Sequence, residues 1–398
     1  MLIQGAQAVV GPELVFADIL CEDGRIAAVS DNLELDGAHL IDARGLVLGP
    51  GFIDIHCHGG GGNSFFTRDA SRLATYSDWA PRHGVTAFLV STSGRHPADI
   101  IRTLEGLAPA IGRSPGAESL GIHLEGPFLN PVRKGAFDAA ALRQPASDEI
   151  ERYVETAEGK LRAMTLAPEL PGALELVAVL LRSGAVPALG HSDATFHQAT
   201  AAFDAGATHT THLFNAMRPL HQREGGIATA ALLDGRVTCE LICDGAHVSV
   251  EMLRLAWRLL GPQRMVAVTD NMYLAGTEQR HAEFLGGRVD VSGDAAIRAD
   301  GTIVGSTMPM DGHFQTLVER VGLSLPEAFA ICSTNPAAVA GAADRKGAIA
   351  PGFDADLVLL DASLSPAMTL CRGKIAYVRD EDASSTGSSP ERNASNSS

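Results

Sequence analysis

Gly51-Phe52-Ile53-Asp54-Ile55-His56-Cys57-His58, followed by glycine at positions 59 to 62, decides how this chain is read. Residues 51–55 are β-prone and largely apolar, which predicts a buried strand. Side chains on a strand alternate between faces, so His56 and His58 point one way and Cys57 the other. Two imidazoles at a strand end, opening into a glycine turn, make half of a metal site. Standing alone the pair is equally two surface histidines before a flexible loop, because a three-residue pattern carries little information. The rest of the chain decides between the two.

Outward from that stretch, buried strand-like runs alternate with amphipathic helices. The runs are 51–55, 86–91, 119–124, 162–166, 185–189, 207–211, 237–243 and 265–269, with helices expected at 70–83, 172–183, 195–205 and 250–260 among others. Eight strands alternating with helices predict an α/β fold, a closed (β/α)8 barrel of the TIM type, with a doubly wound open sheet as the rival. The strand ends favour the barrel. Strand one ends at His56 and His58, strand three at Glu125, strand five at His191, strand six at His212, strand seven at Asp244 with His247 after it, and strand eight at Asp270. In a barrel those carboxyl ends converge on one mouth, where barrel enzymes carry their chemistry.

The termini read differently. Residues 2–10, 16–21, 25–30 and 40–42 at one end, with 356–360 and 374–378 at the other, read as strands, and Glu22-Asp23-Gly24 marks a hairpin turn. They are expected to join into one small β-sandwich domain. The boundaries expected are 1–47 and 346–379 for that domain, 48–345 for the barrel and 380–398 for a disordered, Ser-rich tail.

Composition narrows the function. The chain has 398 residues, 45% of them hydrophobic, and 42 glycines suited to tight βα turns. Its 31 basic and 47 acidic residues leave a net charge of −16, which argues against nucleic acid or an anionic membrane as partner. A small anionic substrate needs only a few local cations. No apolar run is long enough to span a membrane, and Met1-Leu2-Ile3-Gln4-Gly5 lacks a signal-peptide start. The six cysteines are scattered without a CxxC pair, so buried free thiols and a cytoplasmic location are expected.

Imidazoles from strands one, five and six with the carboxylate of Glu125 form a nitrogen-and-oxygen set suited to Zn2+ or another borderline divalent ion. A carboxylate has two oxygens, so Glu125 can bridge one ion held by His56 and His58 and a second held by His191 and His212. Asp270, at the mouth beside the ion, is placed to take a proton from water and return it to a leaving group. Arg223 is a fixed cation suited to a phosphate, though its spacing alone makes it a loop arginine.

The blocks GFIDIHCHG, HLEGPFLN with KGA, GHSDAT, THLFNAM with Arg223, DGAHV, AVTDNM and PGFDADLVLLD stand in order over residues 45–361 and resemble the amidohydrolase superfamily, in particular its sugar-phosphate deacetylases. The resemblance implies metal-dependent hydrolysis of the acetamide of N-acetyl-D-glucosamine 6-phosphate to D-glucosamine 6-phosphate and acetate. It implies one or two divalent ions, Zn2+ first with Fe2+, Mn2+ and Co2+ as alternatives. Glu125, His191 and His212 match the ligands shared across the family, His56 and His58 the extra ligands of two-ion members, and Asp270 the acid/base. Ala136, Phe137, Asn215, Ala216, Arg223, Asp244, His247, Val304 and Gly305 match substrate positions, with Arg223 crossing from the other subunit of a homodimer. Phe137 departs from the family, where many members have a substrate-contacting histidine, so either that contact is lost or another group, His247 or Arg133, supplies it. An N-acetylgalactosamine 6-phosphate enzyme would keep the same machinery. A cyclic-amide hydrolase would bridge its metals with a carboxylated lysine where this chain has Glu125. A non-enzymatic scaffold would have lost ligands that this chain keeps.

Overall fold

A computed structural model of the chain describes residues 1–33, 37 and 39–380. The tail expected from residue 380 onward lies outside the described residues after Asp380.

Eight parallel strands run in chain order around one sheet: Phe52–Cys57, Val85–Thr92, Glu118–Glu125, Leu161–Leu166, Val186–Leu189, His209–Thr210, Thr238–Ile242 and Met265–Val268. Every residue of the first two is buried, as strands covered on both faces require. The barrel closes at its carboxyl rim. The backbone N–H of Asp270 donates to His56 O and that of His58 to Asn271 O, each at 2.8 Å. Just below, Thr269 Oγ1 donates to the Asp54 carboxylate at 2.6 Å. The sixth strand is shorter than the expected 207–211, because the backbone at His212 turns left-handed (φ 28°) and leaves the ladder.

Helices cover the outside where local chemistry starts and stops them. Phe196–Asp204 begins at Thr195, whose side chain accepts from Gln198 N–H while Gln198 reaches back to the Thr195 N–H, a reciprocal cap. The helix expected over 250–260 continues to Arg264, but bends at Gly261 (φ 66°), ahead of Pro262.

The termini meet as expected. One mixed sheet of eight strands runs Lys374–Val378, Pro366–Cys371, Leu357–Leu360, Val47–Pro50, Leu2–Val10, Glu13–Glu22 and Arg25–Ser30, with Leu40–Asp42 paired to Leu2–Val10. Its core gathers Ile3, Ile19, Ile26, Leu48, Leu357 and Leu359. Pro366–Cys371 was not anticipated. Nor was a four-stranded antiparallel sheet, His281–Phe284, Gly287–Ser292, Ala295–Ile297 and Ile303–Ser306, inserted after the eighth barrel strand. It packs Phe284 and Val304 against Met272 and Leu274 at the barrel mouth.

Candidate metal centre and substrate cavity

The strand ends do converge. His56, His58 and Glu125 form one group and Glu125, His191 and His212 another, the ligand atoms of each group lying within 4.8 Å of one another. Glu125 Oε1 lies 2.9 Å from His191 Nε2 and 3.0 Å from His212 Nε2, while Oε2 lies 3.0 Å from His58 Nε2. His56 Nε2 is 3.6 Å from Glu125 Oε1. Asp270 Oδ1 sits 3.3 Å from His58 Nε2 and 3.5 Å from His56 Nε2. Donor atoms around a tetrahedral Zn2+ are separated by about 3.3 Å when the bonds are about 2.0–2.1 Å, so these spacings suit a shared ion.

The outer ring nitrogens say which form the imidazoles take. His58 Nδ1 faces Ser91 O at 3.0 Å and His191 Nδ1 faces Arg133 O at 2.9 Å. A carbonyl only accepts, so each Nδ1 carries the proton and each neutral ring aims a lone pair inward from Nε2. His56 does the same with Glu240 Oε2 behind it at 2.9 Å, and its buried Nε2 has no hydrogen-bond partner. Inward lone pairs and carboxylate oxygens with no donor among them call for a cation, so the residues fit a divalent ion.

The electrostatics agree. Burial works against a charged His58, but Asp270 and Glu125 outweigh it and raise the ring to about 9. Burial likewise opposes ionisation of Asp270, yet His56 and His58 hold it below the usual carboxylate range, as an ionised base. A proton on His58 answers the carboxylates' demand for positive charge, and a bound divalent ion would displace it and leave the neutral ring described above.

Several of these residues sit in left-handed backbone: His191 (φ 47°), His212 (φ 28°), Ala216 (φ 48°) and Asp270 (φ 49°). Each such residue costs roughly 1–3 kcal/mol and persists only where its surroundings impose it. For Asp270 the surroundings are the closing bond to His56 O and a second bond in which its own carbonyl accepts from Ser306 N–H at 3.0 Å.

Beside the metal groups lies a cavity of about 280 Å³. One part of the lining is polar, with Asn215 and His247, and Ala216 follows Asn215 in the chain. The other is apolar, with Phe66, Phe137, Phe284, Ile303 and Val304, the last three from the inserted sheet or its edge. Of the residues expected at substrate, Ala136, Phe137, Asn215, Ala216, His247 and Val304 line it; Asp244, Gly305 and Arg223 do not. Asp244 is buried behind His247, holding its Nδ1 at 2.6 Å and the N–H groups of Ala246 and His247 at 2.8 Å. Gly305 lies against the Asp270 carbonyl, 2.8 Å from where a Cβ would stand. Arg223 is exposed in the loop after the sixth strand. The ring of Phe137 stands edge-on to His191 at 5.3 Å. Of the two candidate substitutes for the missing histidine, His247 reaches the cavity, whereas Arg133 is bound to Asp193 at 2.8 Å.

Reading the sequence missed Glu240, in the middle of the seventh strand, which is buried behind His56. The signal was there, since a lone carboxylate in a buried parallel strand is rare unless paired.

Residues 47–380 match the amidohydrolase family. An N-acetylglucosamine-6-phosphate deacetylase of Bacillus subtilis is 37% identical over 366 residues, covering 90% of this chain and 92% of the relative. An N-acetylgalactosamine-6-phosphate deacetylase of Escherichia coli O157:H7 is 34% identical, covering 89% and 93%. A mutant N-acetyl-D-glucosamine-6-phosphate deacetylase from Mycobacterium smegmatis, solved in complex with N-acetyl-D-glucosamine-6-phosphate, superimposes with a TM-score of 0.90 at 36% identity, covering 95% of this chain and 99% of that one.

Proposed function

The chain belongs to the amidohydrolase family, and from that premise we propose that it hydrolyses the acetamide of N-acetyl-D-glucosamine 6-phosphate to D-glucosamine 6-phosphate and acetate. The observation that carries the reading is the meeting of Glu125, His191, His212 and His58 with the Asp270 carboxylate on the lining of one cavity, with His56 buried just behind them.

Glu125, His191 and His212 would hold one divalent ion, with Glu125 shared toward a second held by His56 and His58; Zn2+ suits the nitrogen-rich set. When bound, such an ion supplies Lewis-acid chemistry, lowering the pKa of water to about 7 and polarising a carbonyl. Asp270 takes the proton from the attacking water through its inward oxygen. It then delivers that proton to the amide nitrogen as the C–N bond breaks, so the amino sugar leaves as a neutral amine, while the water's oxygen stays on the acetyl carbon and its second proton passes to solvent as acetate forms. His247, anchored by Asp244, and Asn215 bind and orient the sugar phosphate on the polar wall. Phe137, Phe284 and Val304 exclude water from the opposite side, which strengthens each polar contact inside.

The working unit in this reading is a homodimer in which Arg223 reaches the phosphate in the partner's cavity. Arg133 and Arg218 share Asp193, so the turn at Pro131–Arg133 and the loop leading to Arg223 lie side by side. Val132 there is 73% exposed and Leu220 41%, an apolar surface suited to burial against a second copy. The domain limits in this reading are 1–47 with 346–379, and 48–345. Six buried free cysteines support a reducing, cytoplasmic setting, and no helix among the described residues is long and apolar enough to cross a membrane.

Acetate release with Zn2+ should be measured side by side on N-acetylglucosamine 6-phosphate, N-acetylgalactosamine 6-phosphate and unphosphorylated N-acetylglucosamine. The reading requires the first to be turned over with the highest kcat/KM. A preference for the galactosamine sugar would transfer the assignment to that substrate, and equal rates with and without phosphate would remove Arg223 from it.

A further inference from the structure

Glu240 is the only carboxylate of the seventh barrel strand, Thr238–Ile242, and it is 2% exposed. A buried carboxylate stands only where charge or hydrogen bonds compensate it. Its compensation leads into the metal groups. Oε2 accepts from His56 Nδ1 at 2.9 Å and from the backbone N–H of His212 at 3.0 Å. Oε1 lies 3.1 Å from Nε2 of His209, whose Nδ1 in turn meets Thr238 Oγ1 at 2.7 Å. One oxygen thus touches the ring of a ligand from one metal group and the main chain of a ligand from the other.

The inward-facing imidazoles differ in what stands behind them. His58 and His191 are backed by carbonyls, and His212 Nδ1 has no partner. Only His56 is backed by a full negative charge. A carboxylate behind a ligating imidazole fixes its tautomer and makes the far nitrogen a better donor than a carbonyl does. His56 also stands farthest from Glu125, at 3.6 Å.

We propose that Glu240 is a positioning residue of the metal centre, aiming His56 Nε2 and strengthening it as a donor so that the His56/His58 group holds an ion of its own. The proposal rests on the two-ion reading above. Glu240 touches neither the cavity nor any reacting atom; its charge acts through the His56 ring, while its contact to His212 is to the main chain only.

The test is ion binding. Parent and Glu240→Gln protein are dialysed against graded chelator, Zn2+ per chain is counted, and the melting of each metal-free protein is recorded. Glutamine keeps the size and can still accept from His56 Nδ1 and His212 N–H through its oxygen, while its amide meets His209 in the other tautomer. The variant therefore removes the charge and little else. The expected result is a loss of affinity of about 10–100-fold for the more weakly held ion, with the tighter ion and the metal-free melting unchanged. Glu240→Leu, which removes the acceptor as well, should hold one ion at most. Two ions held by Glu240→Gln as tightly as by the parent overturn the role of Glu240 and leave the two-ion reading standing. An equal loss of both ions together with a lower metal-free melting temperature shows a structural role and also overturns it. A parent that holds a single ion overturns the two-ion reading first, and this proposal with it.

Discussion

At the scale of one residue, the acid/base role proposed for Asp270 rests on its position beside the histidines of strand one. Asp270 Oδ1 is 3.3 Å from His58 Nε2, near enough to be mistaken for a ligand. Asp270→Asn separates the two roles: turnover should fall by about 10²–10⁴-fold, the usual contribution of a positioned acid/base, while zinc per chain stays at the parental count. Loss of zinc in that variant would make Asp270 chiefly a ligand. At this scale the sequence was highly legible. His56, His58, Glu125, His191, His212 and Asp270 were visible because each stands where a buried run stops, and strand ends in a barrel share one rim. Glu240 was less visible, because it lies inside the run Thr238-Cys239-Glu240-Leu241-Ile242, where periodicity reads only burial. Asp244 was seen but displaced by one step, since spacing cannot tell a residue that faces the cavity from one that supports it.

Among the elements, the inserted sheet over residues 281–306 does the most to shape the cavity and was the least legible. Its strands are three to six residues long and alternate weakly, so no hydrophobic period stands out. The readable trace was its turns. Gly286, Gly293 and Gly301 recur at hairpin spacing, all in left-handed backbone with φ 78°, 59° and 85°. The sheet delivers Gly305 to the back of Asp270, where a Cβ would stand 2.8 Å from the carbonyl oxygen. Gly305→Ala must push that segment away and move the acid/base with it. A displacement of about 1 Å at a reacting group costs on the order of 10²-fold, so kcat should drop by at least tenfold while zinc content is kept. A variant with parental kcat would show that the sheet yields without disturbing Asp270.

Across the whole molecule, two features carry predictions. One is the buried charge cluster where the start of the third barrel strand meets the terminal sheet. Lys346, with no exposed side-chain surface, lies 2.9 Å from Glu118 and 3.0 Å from Asp354 and also pairs with Asp356, and Arg345 bridges Glu118 and Asp354. Burial pushes the Glu118 carboxyl up, but Arg345 and Lys346 outweigh it and hold it at about 2, against an ordinary 4.5. The folded chain thus gains from ionised Glu118 at every pH above about 4.5 and loses that gain progressively as pH falls toward 2. Urea midpoints should decline between about pH 5 and pH 2, and Glu118→Gln should start lower and decline less steeply; parallel curves would take Glu118 out of the acid response. The other feature is Arg223, exposed and outside its own cavity. In the dimer proposed above, mixing Arg223→Ala with Asp270→Asn protein should restore activity above that of either alone. Random exchange makes half the dimers mixed, each with one intact site of two, so recovery should reach about a quarter of the parent. No recovery after demonstrated exchange would confine Arg223 to its own subunit.

The seam between the first and last barrel strands is fastened by the main chain of His56 and Asp270, and by Thr269 on Asp54 just beneath. The cylinder is therefore fastened there in part by the main chain of residues that line its metal centre. Closing the circle also brings His56 and Asp270 together, so the centre is complete only when the first and eighth strands meet. Breathing along that seam would silence the enzyme well before the outer helices came apart.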